Sequence, residues 1–228
     1  MLLFSAAMCA ALCYHATAVQ QPAPKQQQQA YVQTVRRVSG QTLTSSALPA
    51  ARITFDAAFK HVGSQKFILY ERALAEQHYF VDADPEGRIR RMYMLQFEGF
   101  LPNVTAAYDY KPTKTIKVGG QEYVTESAIV PSVVAVFKRD PQSDAARAVR
   151  YLEGQGYRAG DEVMFQRFVR LLDDAKRNEF IVIYIEDMSA TGRKASELLD
   201  ETRAAERDKV LQGLTERALK GFTISKYK

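Results

Sequence analysis

The sequence predicts an α+β fold: a mainly antiparallel, curved β-sheet with C-terminal helices packed on one face. Three observations carry this. Segments rich in aromatic and branched residues fill the first half of the folding region, and helical spacing of apolar residues appears only from Asp140 onward. Asp84-Pro85-Glu86-Gly87 and Gly119-Gly120 supply hairpin turn chemistry between such segments. The main hairpin reads as half apolar on both faces, so its sheet must be covered twice or curve around an interior, as in a helix-filled half barrel.

Composition bounds the answer. Of 228 residues, 46% are hydrophobic and 25% charged, with 12 Gly and 8 Pro, which fits a globular chain and excludes disordered, collagen-like and multispan membrane classes. Lys+Arg 31 against Asp+Glu 26 gives a net charge of +5. The basic residues are dispersed, and the densest group, Arg88, Arg90 and Arg91, points to both faces of a strand. Nucleic acid is therefore not an expected partner, whereas weak contact with an anionic envelope surface is.

Residues 1–18 read as a signal peptide. No charged residue occurs before Lys25, and Ala16-Thr17-Ala18 is the small-x-small pattern that a signal peptidase accepts, so the mature chain is expected to start at Val19. The expected location is exported, periplasmic or in the cell envelope. Cys9 and Cys13 both fall in the removed segment, which excludes a disulfide scaffold, a thiol nucleophile and a cysteine zinc site from the mature protein. Residues 19–50, with the uninterrupted Gln26 to Gln29 and Pro22 and Pro24, read as a Gln/Pro-rich flexible tether. Residues 51–228 form a single α+β domain in this reading, long enough for one core.

Within the domain, strands are expected from Phe67 to Leu74 and from Leu74 to Val81. After the turn, with Gly87 where positive φ is needed, Arg88 to Phe97 returns as the partner. A three-residue loop of Pro85, Glu86 and Gly87 sets Asp82 opposite Arg90 and Tyr79 opposite Tyr93. Thr115 to Val118 and Gln121 to Thr125 form a second hairpin. Val133 to Phe137, a short apolar run, reads as a buried strand. Asp140-Pro141 opens a helix with the stripe Ala145, Ala148, Val149 and Leu152, and Gly154 stops it. Asp161 caps a second helix with the stripe Met164, Phe165, Phe168, Leu171, Leu172 and Ala175, ending at Asn178. Phe180 to Ile185 is too short for a helix and reads as a central strand buried on both faces. A last helix uses Ala195, Leu198, Leu199, Thr202 and Ala205 and continues through Leu211 and Leu214.

Catalytic motifs are sparse. The sequence carries no P-loop, dinucleotide fingerprint, nucleophile elbow or two-histidine zinc helix. The run from Asp82 to Ile89 places acids as a calcium loop does, but the twelfth position, which needs a bidentate Glu, is Tyr93, so a hairpin turn is the reading. Glu186 and Asp187 read as a strand end in solvent.

The expected register sets Glu76 opposite Gln96, His78 opposite Met94 and Leu74 opposite Glu98, with Arg72 extending the row. Arg72, Glu76, His78, Met94, Gln96 and Glu98 thus form the candidate ligand-binding set, a polar row beside the apolar floor of Phe80, Met92 and Met94. The expected function is an exported, non-catalytic binding or interaction module, enclosing a small apolar or amphipathic ligand or docking a protein partner. The alternatives are an acid/base enzyme using His78 with Glu76 and Glu98, and an envelope structural protein. No catalytic residue, cofactor or metal ligand is assigned.

Overall fold

Two antiparallel sheets and four helices are present in the structure, a computed structural model that describes residues 36–111 and 114–227. The strands are β1 (Arg36–Ser39), β2 (Thr42–Ser45), β3 (Ala51–Phe55), β4 (Lys60–Leu69), β5 (Ala73–Ala83), β6 (Ile89–Phe100), β7 (Thr115–Val118), β8 (Gln121–Val130), β9 (Val163–Leu171), β10 (Asn178–Asp187) and β11 (Phe222–Lys226). The helices are α1 (Val133–Arg139), α2 (Asp144–Gly154), α3 (Ala195–Leu198) and α4 (Ala204–Lys220). The small sheet has the order β1-β2-β3-β11 and the large one β4-β5-β6-β10-β9-β8-β7. No helix of the described residues is long and apolar enough to cross a membrane.

The large sheet is covered twice, as its two apolar faces require. On one face Leu43, Ile53 and Phe55 of the small sheet, with Leu214 and Ala218 of α4, pack against Phe80, Tyr93, Leu95, Phe97, Phe168 and Phe180. Phe55 stacks on Phe80 with ring centroids 4.1 Å apart. On the other face Ala148 and Leu152 of α2 cover Tyr79, Val81, Ile89, Met92 and Met94. Burying each such large side chain contributes roughly 1.5–3 kcal/mol.

The main turn forms as its residues dictate. Gly87 takes φ +80, and the Asp84 carboxylate accepts from the amides of Glu86 at 3.0 Å and Arg88 at 2.8 Å. Ala83 faces Ile89 as the loop length demands, but the next pair is Asp82 with Arg91, so one strand carries an extra residue, Arg90. This β-bulge sets two arginines against one aspartate, and Asp82 holds both, Arg90 at 2.5 Å and Arg91 at 2.7 Å. From there on every pair is shifted by one: Tyr79 faces Met94, not Tyr93. A one-residue slip exchanges the faces of a strand.

Other expectations are corrected as well. The proposed tether is folded from Arg36 onward: β1 and β2 pair through a tight turn at Gly40, and Leu43 is wholly buried. Short alternation of Val38, Leu43 and Ser45 was hidden in a polar average. Residues 1–18, expected to be a signal peptide, and residues 19–35 lie outside the described residues. Val133 to Phe137 is helical, because Pro131 ends β8 and Ser132 caps α1 by accepting from the Ala135 amide. Asp161 does cap a helix, but it is α1, through the Val134 amide at 3.0 Å. The segment after it is β9, not a helix: Met164, Gln166 and Phe168 alternate into the core with period two. Asp140 does not open α2, whose N-cap is Ser143, and the last helical stretch is broken between α3 and α4.

The second hairpin forms as expected, with Gly119 and Gly120 both at positive φ. β10 is the central strand between β6 and β9. Its end is not solvated: Glu186 is buried and held by Arg217 at 2.8 and 2.7 Å, which ties α4 to the sheet, while Asp187 caps the following 3-10 turn.

Candidate functional site

The bulge divides the expected site between two faces of the sheet. Glu76 and His78 lie with Phe80, Leu95 and Phe97 beneath the small sheet, whereas Gln96, Glu98 and Met94 lie on the α2 face with Gln77 and Tyr79. An acid/base group of His78 with Glu76 and Glu98 is therefore not assembled.

Beneath the small sheet, Glu76 Oε2 accepts from Arg36 at 2.7 Å and lies 3.2 Å from Lys66 Nζ, while Oε1 meets His78 Nε2 at 2.8 Å. Burial alone would raise the Glu76 pKa, but the His78 hydrogen bond and the Arg36 charge hold it down to about 2. The Arg36 guanidinium also lies 3.7 Å over the Phe97 ring. This cluster is a closed ion-pair network.

The α2 face carries a longer chain of polar contacts. Gln65 donates to Gln77 Oε1 at 3.0 Å, Gln77 to Gln96 Oε1 at 2.6 Å, and Gln96 to Glu98 Oε2 at 2.6 Å. Tyr108 donates to Glu98 Oε1 at 2.7 Å. Glu98 is the cross-strand partner of Glu179, which accepts from Tyr110 at 2.5 Å and keeps Oε1 without a hydrogen-bond partner. Both carboxyls are buried. Burial first, then neighbouring Asp144, raises Glu98 to about 7, and burial together with Glu98 raises Glu179 to about 8. The pair therefore retains a proton at neutral pH.

This chain ends at a surface cleft of about 100 Å3 lined by Leu69, Tyr70, Arg72, Ala73, Glu98 and Phe100. Tyr70 and Glu71 both adopt positive φ to make the β4–β5 turn, which closes with the Arg72 amide on the Leu69 carbonyl at 2.9 Å. The Tyr70 hydroxyl donates to Asp140 at 2.5 Å, and burial and that carboxylate push its pKa up. Arg177 fixes the loop that follows Phe100 by donating to the carbonyls of Leu101, Val104 and Ala106 at 2.7–3.0 Å, while Phe100 stacks on Tyr108. Of the expected set, Arg72 and Glu98 line the cleft, Gln96 stands directly behind Glu98, Met94 lies deeper under α2, and Glu76 and His78 face away.

Sequence reasoning missed Tyr70, Phe100, Tyr108, Tyr110 and Glu179. Glu179 meets Glu98 only because β10 pairs with β6, a non-local contact with no local signature. Chemically, a carboxyl that can carry its proton at neutral pH can donate or accept at the cleft floor. Compared with known protein families, curated proteins and solved structures, the chain matches none.

Proposed function

We propose that the chain is an exported binding module that takes the polar end of a small amphipathic ligand into the Glu98 cleft. Leu69, Ala73 and Phe100 offer apolar wall, and Glu98 and Arg72 offer hydrogen-bonding groups of opposite character. Pockets that engulf a drug-sized ligand have about 300–1,000 Å3. A cleft of about 100 Å3 suits one end group of such a ligand. Packed side chains fill both faces of the large sheet, which favours contact at its end over an enclosed interior.

The observation that carries this reading is the buried Glu98 carboxyl at the cleft floor, raised into the neutral range, since perturbed acids in clefts mark functional sites. Export rests on the uncharged leader and Ala16-Thr17-Ala18. Native mass spectrometry of the protein from its own host tests both. The expected result is a chain starting at Val19 with a bound small molecule that is lost in Arg72→Ala and Glu98→Gln. Retention of Met1 in exported protein overturns the processing. A ligand unaffected by both substitutions, or none on either form, overturns the cleft.

A further inference from the structure

On the face of the sheet opposite the Glu98 cleft, two histidines stand together with one nitrogen each unused. The imidazole centroids of His61 and His78 are 5.9 Å apart, on the neighbouring strands β4 and β5. His61 Nε2 and His78 Nδ1 are both buried without a hydrogen-bond partner. The other nitrogen of each ring is already oriented: His78 Nε2 by Glu76 at 2.8 Å, and His61 by a hydrogen bond to the Gly63 backbone.

We propose that His61 and His78 form a binding site for a divalent late first-row transition-metal ion, with His61 Nε2 and His78 Nδ1 as ligands. This does not depend on the cleft. Metal-binding histidines characteristically give their second ring nitrogen to a carboxylate or a backbone carbonyl, which fixes the tautomer and leaves a lone pair for the ion. Glu76 and Gly63 fill those two roles here. Glu76 is kept ionised by Arg36, so it favours the tautomer with the proton on Nε2 and the lone pair on Nδ1.

Distance supports the pairing. A metal–nitrogen bond of about 2.1 Å, with roughly 1.1 Å more to the ring centre, lets two coordinating imidazoles lie at most about 6.4 Å apart. The observed 5.9 Å falls inside that limit, and the roughly 5.2 Å that a tetrahedral angle at the ion sets is reached by a closure of the rings of well under about 1 Å. A bulge between His61 and Gly63 sets how His61 leaves β4, and bulges commonly re-aim a side chain near a site. Gly63 is required there, since a Cβ would collide with the Tyr151 hydroxyl.

β4 is the edge strand of the large sheet and His61 as a residue is only half-buried, but its Nε2 and His78 are buried, so an ion reaches the two nitrogens by a local opening of this edge. Among the described residues no group of three or more His, Cys, Asp and Glu side chains is arranged to hold a metal. The site therefore supplies two protein ligands and leaves the remaining positions to water or an incoming ligand. Imidazole favours zinc, copper and nickel over calcium or magnesium.

The test uses the full chain carrying Cys9→Ser, Cys13→Ser and His15→Gln, so that His61 and His78 are the only imidazoles and no thiol remains. Zinc is titrated while the imidazole nitrogen resonances are followed by NMR, with His61→Gln and His78→Gln compared by calorimetry. One equivalent of zinc should shift His61 Nε2 and His78 Nδ1 and leave the other two nitrogens protonated. Each substitution should weaken binding at least tenfold. Far-UV circular dichroism of His61→Gln, at the more exposed position, verifies that the fold is retained. Zinc binding unchanged in a folded His61→Gln chain, or no shift of either resonance at excess zinc, overturns the site.

Discussion

Gln77 and Gln96 stand directly opposite each other on β5 and β6, and the Gln77 amide donates to Gln96 Oε1 across 2.6 Å of buried sheet face. Gln96 in turn donates to Glu98, so one amide links the polar chain to the cleft floor. Gln96→Leu removes that link and leaves Glu98 Oε2 without its donor. An unpaired buried acceptor costs about 1–3 kcal/mol. Urea denaturation should show a loss of that size, and an unchanged midpoint would mean that the Gln96 amide does not join the chain.

The Glu98–Glu179 pair sets a pH dependence with a definite sign. Both pKa values are raised on folding, to about 7 and about 8, so the folded chain holds more protons than the unfolded one above the ordinary carboxylate value. Stability should fall as pH rises from about 5 to 8, by up to roughly 1.4 kcal/mol per pH unit for each group. Glu76 acts oppositely: its value of about 2 makes its contribution complete above the ordinary range and lost as the solution is acidified toward pH 2. Denaturation midpoints measured across this range, for wild type and Glu98→Gln, check both limbs. The variant should fall less steeply on the alkaline side.

Gly87 is a strict requirement of the main turn. Its φ is +80, and a Cβ there would run into the Gly156 carbonyl, since the turn is stitched to Arg158 by Arg158 N to Gly87 O at 2.8 Å. Gly87→Val should cost roughly 1–3 kcal/mol or more, read as a lower melting temperature. A variant as stable as wild type would contradict the turn geometry.

How much of this was legible follows from which contacts are local. The turn at Asp84 to Gly87, the Gly119-Gly120 hairpin and the central strand around Phe180 to Ile185 are written in consecutive residues. The bulge at Arg90 is not, because it arises where Asp82 captures two arginines at once. Missing it exchanged the faces of β5 relative to β6 and joined Glu76 and His78 to Gln96 and Glu98. β9 was misread as a helix because Met164, Phe165, Phe168, Leu171 and Leu172 fall at helical spacing while its inward row, Met164, Gln166 and Phe168, is interrupted by a polar residue, and its pairing with β8 and β10 decides the matter. The Glu98–Glu179 pair depends on strand order, which no local pattern encodes.

Arg177 is the fixing point of the loop that follows Phe100. Its guanidinium satisfies the carbonyls of Leu101, Val104 and Ala106. Arg177→Met leaves all three without that donor. Hydrogen exchange at amides anchored on this loop, including Val104 and Tyr108, should accelerate more than tenfold while β9 stays protected. Uniform acceleration would instead indicate global destabilisation.

The central claim is that the Glu98–Glu179 pair beside the cleft keeps a proton at neutral pH. Carbon-13 NMR of the side-chain carboxyls, titrated from pH 3 to 9, reads this directly. The Glu98 and Glu179 resonances should move together, in two coupled steps well above the ordinary carboxylate range and near 7 to 8. Titration of both at about 4 to 5, as for solvated glutamates, would contradict the account.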